Sequence, residues 1–453
     1  MKTTNKINGI VLALAGAGLA SIPCLAFANP TDGKVVAGNV TINQETASKV
    51  GITQTSGKGI IDWKTYSIGS NEHVQYYQPS ASSVTLNRVV GQDPSQILGR
   101  LTANGQIFLV NPNGILFGKT AQVDVAGLVA STHNIRNEDF LAGRYVFNIP
   151  GKPGASVINE GTIRIADTGI AAFVAPSVAN RGVIVAKLGK VALAAANGFT
   201  LDFTGDALLT FLVSDEVART AFDIEGKQLT SFVENSGRIE AQGGYVLLTA
   251  KAAENAIHGV INQSGVIEAR TVGTSKGEII LDAGKGSLNV SGTLDASAPN
   301  GGDGGFIETS GGQVQISDAT KVSTLATTGK SGTWLIDPVD FTIAAGEGVR
   351  TASSIGASTL SDNLNNGSVS IGTSSNTAGE GNIFVNSAVN WSANKLTLGA
   401  HHNININADL NATGTASLAF LYGLSTADGA GSDYVLKGAK VNLPAGQNFS
   451  TQQ

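Results

Sequence analysis

Reactive side chains are scarce in this 453-residue sequence, which holds five His, one Cys and one Met. His73, His133 and His258 are isolated from one another in the sequence, so each reads as a packed or solvated imidazole rather than a metal ligand. His401 and His402 are adjacent, and on a strand their side chains face opposite ways, which disfavours joint metal binding. Gly329, Lys330 and Ser331 match the end of a phosphate-binding loop, but Thr324 stands where that pattern requires its first Gly. Gly301, Gly302, Asp303, Gly304 and Gly305 resemble the start of a calcium-binding nonapeptide, but the stretch is not repeated and reads as a flexible loop. No H-E-x-x-H pair is present. The inventory predicts no catalytic residue, no metal site and no cofactor. Triplets starting at Asn39, Asn390 and Asn411 fit a glycosylation acceptor, a pattern that chance supplies often.

One tetrapeptide carries stronger chemistry, and it is chemistry of the backbone. Asn111, Pro112, Asn113 and Gly114 lie between the apolar runs Ile107 to Val110 and Ile115 to Phe117, which reads as strand, tight turn, strand. Asn suits the first position of a type I turn, Pro presets φ at the second, Asn tolerates the bridge region at the third, and Gly ends it. Spacing alone specifies a well-made turn and nothing more.

The elements that must position such a turn are strands. Aligning Gly161, Gly182, Gly237, Gly265 and Gly292 places Ile163, Ile184, Ile239, Ile267 and Leu294 two residues after each. Two residues further come Ile165, Ala186, Ala241, Ala269 and Ala296. Between them lie Arg164, Val185, Glu240, Glu268 and Asp295, four of the five charged, so the pattern alternates inward and outward as on a strand with one buried face. Asn159, Asn180, Asn235 and Asn262 precede four of the glycines and mark a turn before each strand. The Gly spacings are 21, 55, 28 and 27, with the 55 reading as two coils plus an insertion around Asp202 to Lys227. Gly312, Val314 and Ile316 read as one more copy. Second strands follow at Val191 to Leu193, Val246 to Leu248 and Ile279 to Leu281.

A repeat of short strands and Gly/Asn turns, with small inward residues, predicts an all-β parallel β-helix. Its narrow interior accounts for an aromatic content of 6%. Sustained helical periodicity is missing outside the amino terminus and a short stretch from Val213 to Phe222; a β-sandwich is the competitor, but would lack a coil-length repeat. Open solenoid ends template aggregation unless covered. Residues 29–100 lack the Gly-anchored repeat and carry Trp63 with Tyr66 and Tyr76 with Tyr77, so they read as a cap with added antiparallel strands. Residues 344–453, rich in Ser, Thr, Asn and Gly, suggest less regular rungs at Val369 to Ile371, Ile383 to Val385, Leu396 to Leu398 and Ile404 to Ile406. No closing cap, toxin-like domain or amphipathic barrel precedes Gln453, which reads as a short member or a truncated frame.

The amino terminus reads as a signal peptide over residues 1–28. Lys2 and Lys6 give a positive start, Ile10 to Ala20 an apolar stretch, and Ala26, Phe27 and Ala28 an A-x-A cleavage pattern before Asn29. Cys24 lies inside it after Pro23, so the mature chain is expected to have neither thiol nor lipid anchor. A chain free of disulfides holds no covalent loop that a narrow pore would reject. Cleavage leaves 27 basic side chains against 34 acidic ones, a formal charge of −7, with no basic footprint for nucleic acid. No apolar run reaches the roughly 18 residues of a membrane-spanning helix, and the mature chain is expected to be soluble.

The stretch LTANGQIFLVNPNGILFGKTAQVDVAGLVAST at 101–132 resembles the amino-terminal secretion domain of filamentous-haemagglutinin-type exoproteins, the secreted partners of two-partner secretion systems in Gram-negative bacteria. IDWKTYSIGSNEHVQYYQPSASSVTLNRVVG at 61–91, VLLTAKAAENAIHGVINQSGVIEA at 246–269 and SGTLDAS at 291–297 extend the resemblance over roughly residues 33–300, and SGTWLIDPVDFTI at 331–343 resembles a segment that often follows. The resemblance implies a right-handed parallel β-helix, Sec export, and recognition in the periplasm by an outer-membrane pore bearing POTRA domains. It places the family's secretion motif on Asn111, Pro112, Asn113, Gly114 and Ile115. A second family motif, NPNL, is missing; Gln78 to Ser80 occupies its region, as in the high-molecular-weight-adhesin-like branch. The expected organisation is thus a signal peptide at 1–28, a secretion domain at 29–300, and a continuing stalk-like β-helix at 301–453.

Three functional classes follow: a secreted or surface adhesin with a host-cell or neighbouring-cell receptor, a haemolysin-like or contact-dependent-inhibition exoprotein, and a β-helix polysaccharide-active enzyme. The third needs acidic and basic groups clustered on adjacent rungs, which the varied outward series from Arg164 to Asp295 does not supply. The adhesin is the expected function, with a shared fold deciding none of the three.

Overall fold

The computed structural model describes residues 29–201, 209–211, 220–250, 260–346, 352–375, 379–424 and 431–453. The chain winds through three long sheets in turn. The coil that carries the turn motif shows the order: Gln106–Val110 in a 15-stranded sheet (I), Ile115–Phe117 in a 13-stranded sheet (II), Gln122–Val125 in an 11-stranded sheet (III), then Gly127–Ser131 back in sheet I. Successive coils pair in parallel, as Gly127–Ser131 does with Gln106–Val110 before it and Ile170–Ala175 after it. The architecture is a right-handed parallel β-helix, the sense a right-twisted strand requires of a parallel crossover.

The predicted column is real. Ile163, Ile184, Ile239, Ile267 and Leu294 are register partners on sheet III and all fully buried. Val191, Val246 and Ile279 form a second column on sheet I, beside Leu193, Leu248 and Leu281. Each such side chain contributes about 1.5–3 kcal/mol on burial, so alternation on short strands suffices to hold a rung against its neighbours.

The aligned glycines have a stronger reason than turn preference. A Cβ on Gly182 would lie 2.1 Å from the carbonyl oxygen of Gly161, on Gly237 2.2 Å from that of Gly182, on Gly265 2.1 Å from that of Gly237, and on Gly292 2.0 Å from that of Gly265. Backbones of successive coils touch at this corner, and no side chain fits between them. Beside it runs a buried amide ladder: Asn159 Nδ2 donates to Asn180 Oδ1 at 2.8 Å, Asn180 Nδ2 to Asn235 Oδ1 at 2.7 Å, and Asn235 Nδ2 to Gln263 Oε1 at 2.7 Å.

Four expectations are corrected. Gln263, not Asn262, occupies the fourth ladder position; Asn262 is displaced one residue along the strand and pairs with Asn289. Val314 and Ile316 stack on Leu288 and Val290 in sheet II, while Val322 continues the Leu294 column, because strands of both sheets share the same alternation. The 55-residue interval is one coil with an excursion, since Asn180 and Val183 pair directly with Asn235 and Arg238. The Gly301 to Gly305 stretch is held rather than loose: Asp303 accepts from Lys330 N at 3.0 Å and Lys276 Nζ at 2.9 Å, and a Cβ on Gly305 would meet Gly277 O at 2.0 Å.

Antiparallel additions cover the first coil. Lys34–Ala37 pairs with Lys58–Trp63, and Val40–Thr46 with Lys49–Gln54. Parallel rungs begin already at residue 49, because Lys49–Gln54 also pairs with His73–Tyr77. The cap's aromatic residues surround a polar atom: Trp63 Nε1 and Tyr76 Oη donate to Asn87 Oδ1 at 3.0 and 2.7 Å, and Tyr66 and Tyr76 hydroxyls lie 2.9 Å apart. A second antiparallel sheet, Tyr145–Phe147, Phe199–Leu201 and Leu209–Phe211, leaves the coil. With helix Asn137–Leu141 it packs on the outward side chains of sheet I, where Phe108 meets Tyr145 at 5.1 Å and Phe147 stacks on Phe199 at 4.5 Å. Of the stretch from Val213 to Phe222, residues 213–219 lie outside the described residues, and Phe222 bridges Gln228 in antiparallel sense.

The four carboxy-terminal strands expected from sequence form within Ser368–Gly372, Ile383–Val385, Lys395–Gly399 and Ile404–Ile406. Sheet III ends at Lys321–Ser323. Helix Ala357–Leu364, which the periodicity did not reveal, covers that edge, and its Asn363 Oδ1 accepts from Val322 N at 2.7 Å.

Candidate functional site

Asn111 to Ile115 form the corner between sheets I and II. Gly114 N donates to Asn111 O at 3.1 Å, closing the expected four-residue turn, and Gly114 has φ +114°, which a side chain would strain. Asn111 is fully buried and bonded four ways. Its Nδ2 donates to Asp93 O and to Ser95 Oγ, both at 3.0 Å; its Oδ1 accepts from Asn113 N and Asn113 Nδ2, both at 2.9 Å. Asn113, half-buried, also donates to Gly91 O at 3.0 Å. Both asparagines thus tie the turn to the preceding coil, and Ile115 enters the core between Ser95 and Val157.

Later chain closes over the turn. Lys152 N donates to Pro112 O at 2.9 Å, and a cleft of about 150 Å³ runs between Asn113, Lys152 to Ser156 and Phe222 to Ile224. In the folded chain the motif therefore offers little free surface: Asn111 and Gly114 are buried and the Asn111 side-chain amide is saturated. What the arrangement does is set a corner, with its polar groups matched inside the wall.

Gln78, in the region where a second motif was sought, is built alike. Its Oε1 accepts from Gly105 N at 3.0 Å and its Nε2 donates to Thr85 Oγ1 at 3.0 Å, while Gln78 and Asn104 exchange bonds of 2.7 and 2.6 Å. Sequence reasoning passed over Asn104, Asp93 and Ser95, whose roles follow only from the coil register.

Ala26 and Ala28, the expected cleavage residues, lie outside the described residues, as does His258; Asn29 is the first described residue and donates to Ala47 O at 3.3 Å. His133 is buried against Phe199, and burial pushes its imidazole down to about 4 against the opposing influence of the Val174 carbonyl. His73 meets Thr102 Oγ1 at 2.7 Å and is lowered by burial and by the charges of Arg100 and Lys49. His402 lies 3.4 Å from Glu380, and no group of three metal-ligating side chains occurs among the described residues. The outward charges of sheet III from Arg238 to Asp295 neutralise one another. Arg238 reaches Glu240 at 2.5 Å and Glu268 at 2.6 Å, and Arg270 bonds Glu268 and reaches Asp295 at 2.9 Å. This ladder braces adjacent rungs and pairs each of its own carboxylates with an arginine.

The family described as TPS secretion domain matches residues 26–296, more than half of the sequence. The chain belongs to this family. TPS exoproteins are secreted across the outer membrane to the cell surface or extracellular space, and a TPS domain implies a cognate outer-membrane transporter. The family is one of secretion domains, not of known enzymes. Two Haemophilus influenzae relatives, both named heme/hemopexin-binding protein, are 31% and 33% identical over 311 and 297 residues. Each alignment takes in 64% of this chain and 32% or 31% of the relative, so the chain spans about a third of their length. The HMW1 secretion domain from Haemophilus influenzae shares the fold, with a TM-score of 0.62 at 24% identity, covering 94% of this chain and all of that one.

Proposed function

We propose that this TPS exoprotein is exported by Sec with cleavage after Ala28, is recognised in the periplasm by POTRA domains of its outer-membrane transporter, and serves outside as an adhesin. The supporting observation is the corner at Asn111 to Ile115. Its bonds run to residues 91–95, in the coil already wound, so it forms only when an earlier rung is present to receive it. Before folding, the same extended segments are free to add to a POTRA sheet edge. Outside, each rung supplies the ladder for the next, and a folded rung cannot slip back through a narrow pore. The β-helix then acts as a rigid stem whose side faces meet a receptor on host or neighbouring cells. Attachment of cells bearing the chain, with and without the transporter, tests this reading: attachment that needs both supports it, and attachment unchanged without the chain overturns it.

The names of the two Haemophilus relatives favour a second reading, capture of haem or of a haem carrier. Titration of the purified chain with hemopexin separates the two, since an adhesin of the first kind shows no saturable complex.

A further inference from the structure

The outward face of sheet III near the cap carries a shallow groove of about 430 Å³, lined by Gln75 to Gln78, Thr102 to Asn104 and Asp124. Gln75, Thr102 and Asp124 are register partners on three successive rungs. Rungs lie about 4.8 Å apart, so the column spans about 10 Å, with one polar side chain at each step. Tyr77, on the same strand and face as Gln75, is 39% exposed. Its ring is fixed rather than free: Lys49 Nζ donates to the Tyr77 hydroxyl at 3.3 Å and pairs with Glu45 at 2.8 Å. Thr102 Oγ1 is held 2.7 Å from His73 Nε2. Among the described residues the side chains of Gln75 and Asp124 meet no hydrogen-bond partner.

We infer that this groove is a saccharide-binding site. A pyranose presents an apolar C–H face and a rim of hydroxyls, and needs an aromatic plane for one and planar amide or carboxylate groups for the other. Tyr77 supplies the plane, Gln75 the amide, Asp124 an acceptor pair for neighbouring hydroxyls, and Thr102 a further hydroxyl. Other ligand classes fit worse. Strand His73–Tyr77 is paired on both sides, by Lys49–Gln54 and Arg100–Ala103, so no free edge awaits a peptide. The lining holds no basic side chain to bind a phosphate, and its polar groups reject an acyl chain.

The inference gives the adhesive reading a ligand class and rests on that reading only for its use at the cell surface. Saturation-transfer NMR on the purified mature chain, with maltose, lactose and N-acetylglucosamine as probes, needs no cells, so its outcome is separate from that of the attachment assay. The expected result is transfer to ring C–H protons of at least one sugar with a dissociation constant on the order of 1 mM. Tyr77→Leu, which keeps apolar bulk without the ring, and Asp124→Asn each weaken it about tenfold at unchanged melting temperature. Both side chains face solvent, and Asp124→Asn alone decides the matter should Tyr77→Leu melt early. No transfer with any of the three sugars, or binding indifferent to Asp124→Asn, overturns the inference.

Discussion

Replacing Asn111 by Ala removes four hydrogen bonds at a site with no solvent to replace them: two donated to Asp93 O and Ser95 Oγ, two accepted from Asn113. At about 1 kcal/mol each, the local loss is about 4 kcal/mol. A tenfold change in an equilibrium corresponds to about 1.4 kcal/mol, so opening of the corner becomes roughly a thousandfold more frequent. Hydrogen exchange of the purified chain reads this directly, through the amides of Ser95, Asn113 and Gly114, all hydrogen-bonded in this corner. Asn113→Ala loses fewer buried contacts and is expected to cost about half as much. Exchange in Asn111→Ala within about tenfold of the parent chain, or a larger effect from Asn113→Ala, would refute the claim that the inward amide organises the turn.

Gly237→Ala places a Cβ 2.2 Å from Gly182 O and is expected to lower stability by about 3 kcal/mol, while Gly57→Ala, with nothing within 4 Å, leaves the melting temperature unchanged. Asn235→Ala leaves Gln263 Oε1 without its donor and Asn180 Nδ2 with only its 3.3 Å bond to Arg238 O, and is expected to cost about 2–3 kcal/mol in urea unfolding, more than Asn262→Ala on the outer face. His133 titrates near 4 when folded against 6.5 when unfolded, so the unfolded chain binds the proton first; its contribution is complete above pH 6.5 and lost as pH falls to about 4, by about 3 kcal/mol. Glu278 and Asp337, both raised by burial and by Glu308, run the other way, so the measurement is the difference in stability between the parent chain and His133→Gln across that window.

The columns were legible because a strand with one buried face must alternate, and five copies share a register. What alternation cannot say is which sheet a strand joins, and Val314 was misplaced for that reason: Leu288 and Leu294 look alike until their neighbours are known. The glycines were legible as markers, but their cause, a carbonyl oxygen of the preceding coil standing 2.0–2.2 Å from where a Cβ would lie, depends on the pairing of coils. At the turn, residue types fixed the local geometry of Asn111 to Gly114. Nothing in those four residues names Asp93 and Ser95, which become partners only because a coil of some twenty residues brings them underneath. Helix Ala357–Leu364 escaped because its single buried stripe of Leu360 and Leu364 is too short to show a period.

The central claim is that secretion requires a corner that only an already wound coil can complete. Its most direct measurement is the distribution of the full-length chain between periplasm and cell exterior in cells that also carry the cognate transporter. The account predicts that the parent chain is found outside and that Asn111→Ala remains in the periplasm. Equal amounts of both outside the cell would contradict it.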